Sequence, residues 1–116
     1  METLTAAERL AALGHESRLS IYRLLVEAGP NGLIASAIAE TLGLPAATLS
    51  FHLSHLSRVG LVKGERESRF IRYSAEYGAM DALIGFLTRN CCQGEPCLPQ
   101  TACRAPQPSD DGDKQP

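Results

Sequence analysis

Four cysteines fall within thirteen residues, at Cys91, Cys92, Cys97 and Cys103, and the other 103 positions of this 116-residue chain hold none. In a reducing compartment such a cluster serves as a ligand set or a redox centre more readily than as a structural bridge. Cys91 and Cys92 are adjacent, and neighbouring Cα atoms lie too close for a relaxed disulfide between them. The pair is well suited to a soft ion that makes short, directional bonds to sulfur. Arsenic(III) and antimony(III) take three thiolates in a pyramid whose open side carries the lone pair. Gly94 and Pro96 in CCQGEPC supply a turn that brings Cys97 back over the pair, and Cys103 is the alternative third ligand. Zinc prefers four ligands in paired Cys-x2-4-Cys or His spacings; Cys92 and Cys97 make one such spacing and no second pair follows, although all four cysteines together make a tetrahedral set. Oxidation offers a different use: Cys91 or Cys92 paired with Cys97 or Cys103.

A second constellation lies upstream, in residues 45–73, PAATLSFHLSHLSRVGLVKGERESRFIRY. Leu49, Leu53 and Leu56 recur at i, i+4 and i+7, one apolar stripe of a helix over residues 45–59. Thr48, Ser50, His52, Ser54 and His55 are short hydrogen-bonding groups, read as the opposite face, with no carboxylate among them. That is the surface required of a helix entering a DNA major groove, since it allows close approach and can both donate and accept. Phe51 either stacks at the groove or packs under the segment that follows. Gly60 stops the helix, and residues 61–66 and 70–74 read as two short strands about a Glu67-Ser68 turn. Arg66 and Arg69 stand near the tip of that hairpin, placed for phosphate contact.

These groups need a scaffold, and the remaining pattern supplies one. Residues 5–13 and 15–28 read as two helices, the second ended by Gly29-Pro30, and residues 30–33 as a loop. Residues 34–42 form a small Ala-rich helix closed by Gly43, and Gly43-Leu44-Pro45 is the tight link of a helix-turn-helix. Residues 75–90 give a last helix, with Tyr77, Met80, Leu83, Ile84 and Leu87 apolar. The expected fold class is mostly α (α+β): a winged helix-turn-helix of five helices with a two-stranded wing, dimeric. The division expected is 1–90 for the DNA-binding and dimerisation domain, 91–103 for the cysteine segment and 104–116 for a disordered tail. The last stretch, with five of the seven prolines falling after residue 90, cannot pack a core.

A formal net charge of −2 argues against a nucleic-acid binder, but its distribution reverses the argument. In residues 45–74, Arg58, Lys63, Arg66, Arg69 and Arg72 stand against Glu65 and Glu67 alone. Part of the acidic excess sits in the tail, where Asp110, Asp111 and Asp113 stand against Lys114. No apolar run reaches spanning length and no signal-peptide layout is present, so a soluble cytoplasmic protein with no membrane partner is expected.

With these elements placed, the chain resembles the ArsR/SmtB family of metalloregulatory repressors over about residues 4–97. LAALGHESRLSIYRLL, TLSFHLSHLSRVGLV and RESRFIRYS carry the resemblance. It implies a homodimer paired through first and last helices, operator or promoter DNA as partner, and an inducer that weakens DNA binding. It also implies that Thr48, Ser50, Phe51, His52 and His55 lie at the DNA face, with Arg66 and Arg69 reaching from the wing. Many arsenic-sensing members open the third helix with Cys-Val-Cys; here Gly32-Leu33-Ile34-Ala35-Ser36-Ala37 has no sulfur. NCCQGEPC instead resembles a second arsenic-sensing group, in which vicinal cysteines and one downstream cysteine take the ion. The zinc site of some members, between paired last helices, lacks its histidines here, since this helix offers only Glu76 and Asp81.

The expected function is therefore a homodimeric repressor of an arsenic-resistance operon, released when As(III) or Sb(III) meets the cysteines. A thiol redox-responsive or other soft-metal-responsive repressor of the same fold is the alternative. An enzyme, such as a small thiol reductase, would need a phosphate-cradling loop or a Cys-x-x-Cys at a helix start, and neither is present. A metallochaperone would leave the helix and wing without a use.

Overall fold

A computed structural model describes residues 1–94. Helices α1 (Thr3–Leu13) and α2 (Glu16–Ala28) lead into strand β1 (Leu33–Ile34), α3 (Ala35–Leu42) and α4 (Ala46–Arg58). The hairpin β2 (Val62–Glu67) and β3 (Phe70–Ala75) follows, then α5 (Tyr77–Thr88) and a single 3-10 turn, Cys91–Gly94. The core lies where α2, α3 and α4 meet the base of the hairpin. Ile21, Leu25, Ile38, Leu49, Leu53, Leu56 and Leu61 are its largest fully buried side chains.

The turns that fix this packing follow from backbone chemistry. Gly60, at φ 84°, lets the chain leave α4 in the left-handed region, and the Leu61 amide then returns to the Leu56 carbonyl at 3.0 Å. Arg9 of α1 donates through Nε to the Val59 carbonyl at 2.8 Å, so a charged side chain caps the far end of α4 from another helix. Arg18 donates likewise to the Ala12 carbonyl at 2.6 Å, closing α1 against α2. His15 precedes α2 in extended backbone, and its Nδ1 accepts from the Ser17 amide at 3.2 Å, an N-cap made by imidazole.

The sheet differs from the expected two-stranded wing. It has three strands in the order β1-β3-β2, all antiparallel, with Leu33 opposite Tyr73 and Ile34 opposite Arg72. Residues 30–33, expected as a loop, thus feed a strand that ties the start of α3 to the wing. Gly32 makes this possible: it sits at φ 66°, and a Cβ there would stand 2.0 Å from the Tyr73 carbonyl oxygen. The wing hairpin itself is in register from Val62–Ala75 to Glu67–Phe70, and past Val62 every residue of β2 is exposed.

Helix α5 ends at Thr88, two residues short of the expected Asn90. Thr88 donates its own hydroxyl to the Ile84 carbonyl at 2.9 Å, and Arg89 is already extended. Asn90 then takes a left-handed φ of 59°, which asparagine tolerates, so the chain leaves the helix axis at a turn just before Cys91. Within α5 only Leu83 is buried, while Ile84 and Leu87 are 47% and 56% exposed. No helix among the described residues is long and apolar enough to cross a membrane.

Candidate nucleic-acid interface and thiol segment

Helix α4 turns inward Leu49, His52, Leu53 and Leu56 and leaves Ala47, Thr48, Ser50, Phe51, Ser54 and Arg58 exposed. Four of the expected contacts keep an outward or edge position: Thr48, Ser50 and Phe51 are exposed, and His55 is half-buried. Phe51 is 67% exposed, so it projects from the helix and does not pack under the wing.

His52 is the correction. It was read on the face opposite the leucines, yet it is 7% exposed. At about 100° per residue it falls only about 40° from Leu56, inside the apolar stripe. Its ring centroid lies 4.9 Å from that of His15 and 5.8 Å from Phe51, and among the described residues its Nδ1 has no hydrogen-bond partner. Burial holds the His52 pKa below the usual histidine value, and the positive potential of His15, Arg18 and His55 acts in the same direction. His55 is lowered too, by burial first and then by Arg18 and Arg58. Buried there, His52 seats α4 against His15 at the start of α2, on the inward side of the helix.

The wing charges separate into two kinds. Arg72 is held, with Nε 3.1 Å from Glu67 and one terminal nitrogen 3.4 Å from the Asn31 carbonyl. Arg66 and Arg69 are exposed and form no ion pair among the described residues; the same holds for Lys63 and Arg58. Pairing Glu67 with Arg72 removes one of the two acids from this surface and leaves Glu65 alone against four cations. Arg58 was counted only as charge in the sequence. It sits about 180° from Leu49 on α4, in the middle of the outward face, and the same helical angle would have identified it. Ser68 takes a positive φ of 59° in the two-residue turn Ser68-Arg69, so Arg69 stands at the tip itself and Arg66 on the strand before it.

The thiol segment is described only in part. Cys91 is half-buried in the 3-10 turn after α5. The Cys92 side chain, Cys97 and Cys103 lie outside the described residues, as do the limits expected for the tail. Among the described residues, no group of three His, Cys, Asp or Glu is placed to hold a metal ion. His52 and His55 are thus not joined by a third ligand.

Comparison with known proteins matches this geometry. A helix-turn-helix domain model matches residues 13–65. Transcriptional activator HlyU of Vibrio cholerae is 33% identical over 84 residues, covering 72% of this chain and 75% of HlyU. Its solved structure superposes with a TM-score of 0.63 over 80% of this chain and all of that one, and the reduced form of HlyU gives 0.62. An ArsR-like transcriptional regulator from Rhodococcus sp. RHA1 is 31% identical, with a TM-score of 0.64 over 74% of this chain and 78% of its own. A homodimeric winged helix-turn-helix DNA-binding domain from Mycobacterium bovis, a possible ArsR-family regulator, is 25% identical, with a TM-score of 0.59 over 81% of this chain and 87% of its own.

Proposed function

The chain belongs to the ArsR-like helix-turn-helix regulators of transcription, DNA-binding proteins and not enzymes, and we propose that within that family it is an arsenic- or antimony-released repressor. It acts as a cytoplasmic homodimer on operator DNA. The observation that carries the reading is positional. Cys91-Cys92 begins two residues after α5, a helix that buries Leu83 alone and leaves Ile84 and Leu87 outside. A homodimeric relative supports covering that face with a second copy of the chain.

The donor set suits the inducer, because the segment offers thiols and no competing hard ligand cluster. Cys91 and Cys92, with Cys97 or Cys103, take the trivalent ion as three thiolates. Each thiol proton leaves with a displaced hydroxide as water. Ordering this loop pulls on the end of α5 and shifts the two α4 helices from the one-turn spacing that a dimer needs on DNA. The inducer displaces DNA only as far as it favours the shifted state, typically ~1–3 kcal/mol.

The same segment supports a second reading, a thiol redox switch, for which the reduced form of HlyU is the counterpart among relatives. Peroxide would take two electrons and two protons from a pair of thiols, leaving a disulfide and water. Fluorescence anisotropy of the reduced dimer on its own promoter fragment separates the two. Release by arsenite or antimonite, lost in Cys91→Ser, supports the first; release by peroxide alone replaces it with the second. No DNA binding under any condition would overturn both.

A further inference from the structure

Between the recognition helix and the wing lies a cavity of about 360 Å³, within the range that holds small organic ligands. Ala39 of α3, Leu49 and Leu53 of α4, and Phe70 and Ile71 of β3 form its walls. The one charged group on its lining is Arg69, and no carboxylate lines it. Three elements meet there because β1 ties the start of α3 to β3 while Gly60 folds the wing back over α4.

We propose that this cavity binds a small amphipathic anion, an apolar body carrying one carboxylate, and that the bound anion competes with DNA. The choice of charge follows from Arg69. Its exposed guanidinium forms no ion pair among the described residues, and beside a mostly apolar lining, whose other polar side chains are Ser36, Ser50 and Tyr73, it offers a carboxylate a charge-assisted hydrogen bond. The choice of an apolar body follows from the walls. Phe70 and Ile71 are 50% and 37% exposed, large side chains left part-covered beside an unfilled space. Competition follows because Arg69 is also a wing cation proposed to meet phosphate. An anion held there removes that contact and wedges β3 at a fixed distance from α4. This second input rests on the DNA-regulator reading but uses none of the cysteines.

The test titrates octanoate, octanol and octylamine into the reduced full-length protein by calorimetry, with no DNA present, so that a failure here is separate from a failure to bind operator. The expected result is saturable binding of one octanoate per protomer, about tenfold tighter than octanol, with no octylamine binding. Arg69→Gln should remove the preference for octanoate while octanol still binds. Ala46→Leu and Ala39→Leu, which fill the space from two sides, should each abolish both, with circular dichroism and thermal melts confirming the fold. On the promoter fragment, octanoate should weaken wild-type DNA binding about tenfold and leave Ala46→Leu unaffected. No saturable binding, equal binding of all three chain molecules, binding that survives both filling variants, or binding without loss of DNA affinity would each overturn the proposal.

Discussion

Helices α4 and α5 are nearly equal in length and are treated oppositely by the protomer. The first buries four of its thirteen residues; the second, much more apolar in composition, buries one of twelve. Helix α4 is completed within one chain, by α2, α3 and the wing base, and its polar face is left for DNA. Helix α5 is anchored at its start, where the Tyr77 hydroxyl donates to the Val26 carbonyl at 2.8 Å, and its apolar length is left uncovered, with Ile84 and Leu87 exposed. The difference assigns rigidity to the reading end and adaptability to the end that carries the thiols. A switch gains from that arrangement, since a ligand shifts an equilibrium only where two packings are close in energy.

The largest effects should show whether this contrast holds. Leu53→Ala should cost about 2–5 kcal/mol of protomer stability in denaturant unfolding, because Leu53 is 1% exposed and its loss leaves a cavity. Leu87→Ala should leave protomer unfolding nearly unchanged and instead weaken self-association in sedimentation experiments. Equal protomer destabilisation by both would break the contrast. Cys91→Ser comes next: the operator dissociation constant should stay within error of wild type while the arsenite effect, about 5–150-fold in affinity, disappears. Loss of DNA binding in that variant would join the two regions that the structure keeps apart.

Smaller effects sharpen the reading end. Arg69→Gln and Arg66→Gln should each weaken binding across unrelated DNA sequences and reduce the salt dependence by about one phosphate contact. Arg72→Gln should do less, because Arg72 already serves Glu67 and the Asn31 carbonyl. The smallest effect concerns pH. His52 binds its proton less readily folded than unfolded, so its contribution to stability is complete above the usual histidine value of about 6.5 and is lost as pH falls toward its lowered folded value. Thermal melts from pH 7.5 to 5.5 should show stability falling on acidification, and His52→Gln should flatten that slope. An unchanged slope would place the titration elsewhere, with His55 the next group to substitute.

How much of this was legible in the chain differs by element. The helix-turn-helix and the hairpin follow from short-range signals: leucines at helical spacing, glycine stops, and alternation about a turn, which falls at Ser68-Arg69, one residue beyond the expected Glu67-Ser68. Strand β1 did not, because a two-residue strand has no periodicity of its own and exists only where Gly32 lets the chain press against Tyr73. His52 was misplaced because residue type was weighed above helical angle; a polar group in an apolar stripe is read correctly only by its direction. Arg58 was passed over for the same reason.

The sequence by itself determined the regular elements, the basic excess over residues 45–74 and the crowding of sulfur after α5. Those properties depend on spacing and composition, which survive any arrangement of the chain. Tertiary structure alone decided that His52 faces His15, that Arg72 is held while Arg66 and Arg69 are exposed and form no ion pair among the described residues, and that a cavity opens between α4 and the wing. Each of these depends on which groups from distant positions arrive within a few ångströms, and that distance is set by packing three elements together, not by the order of residues in any one of them.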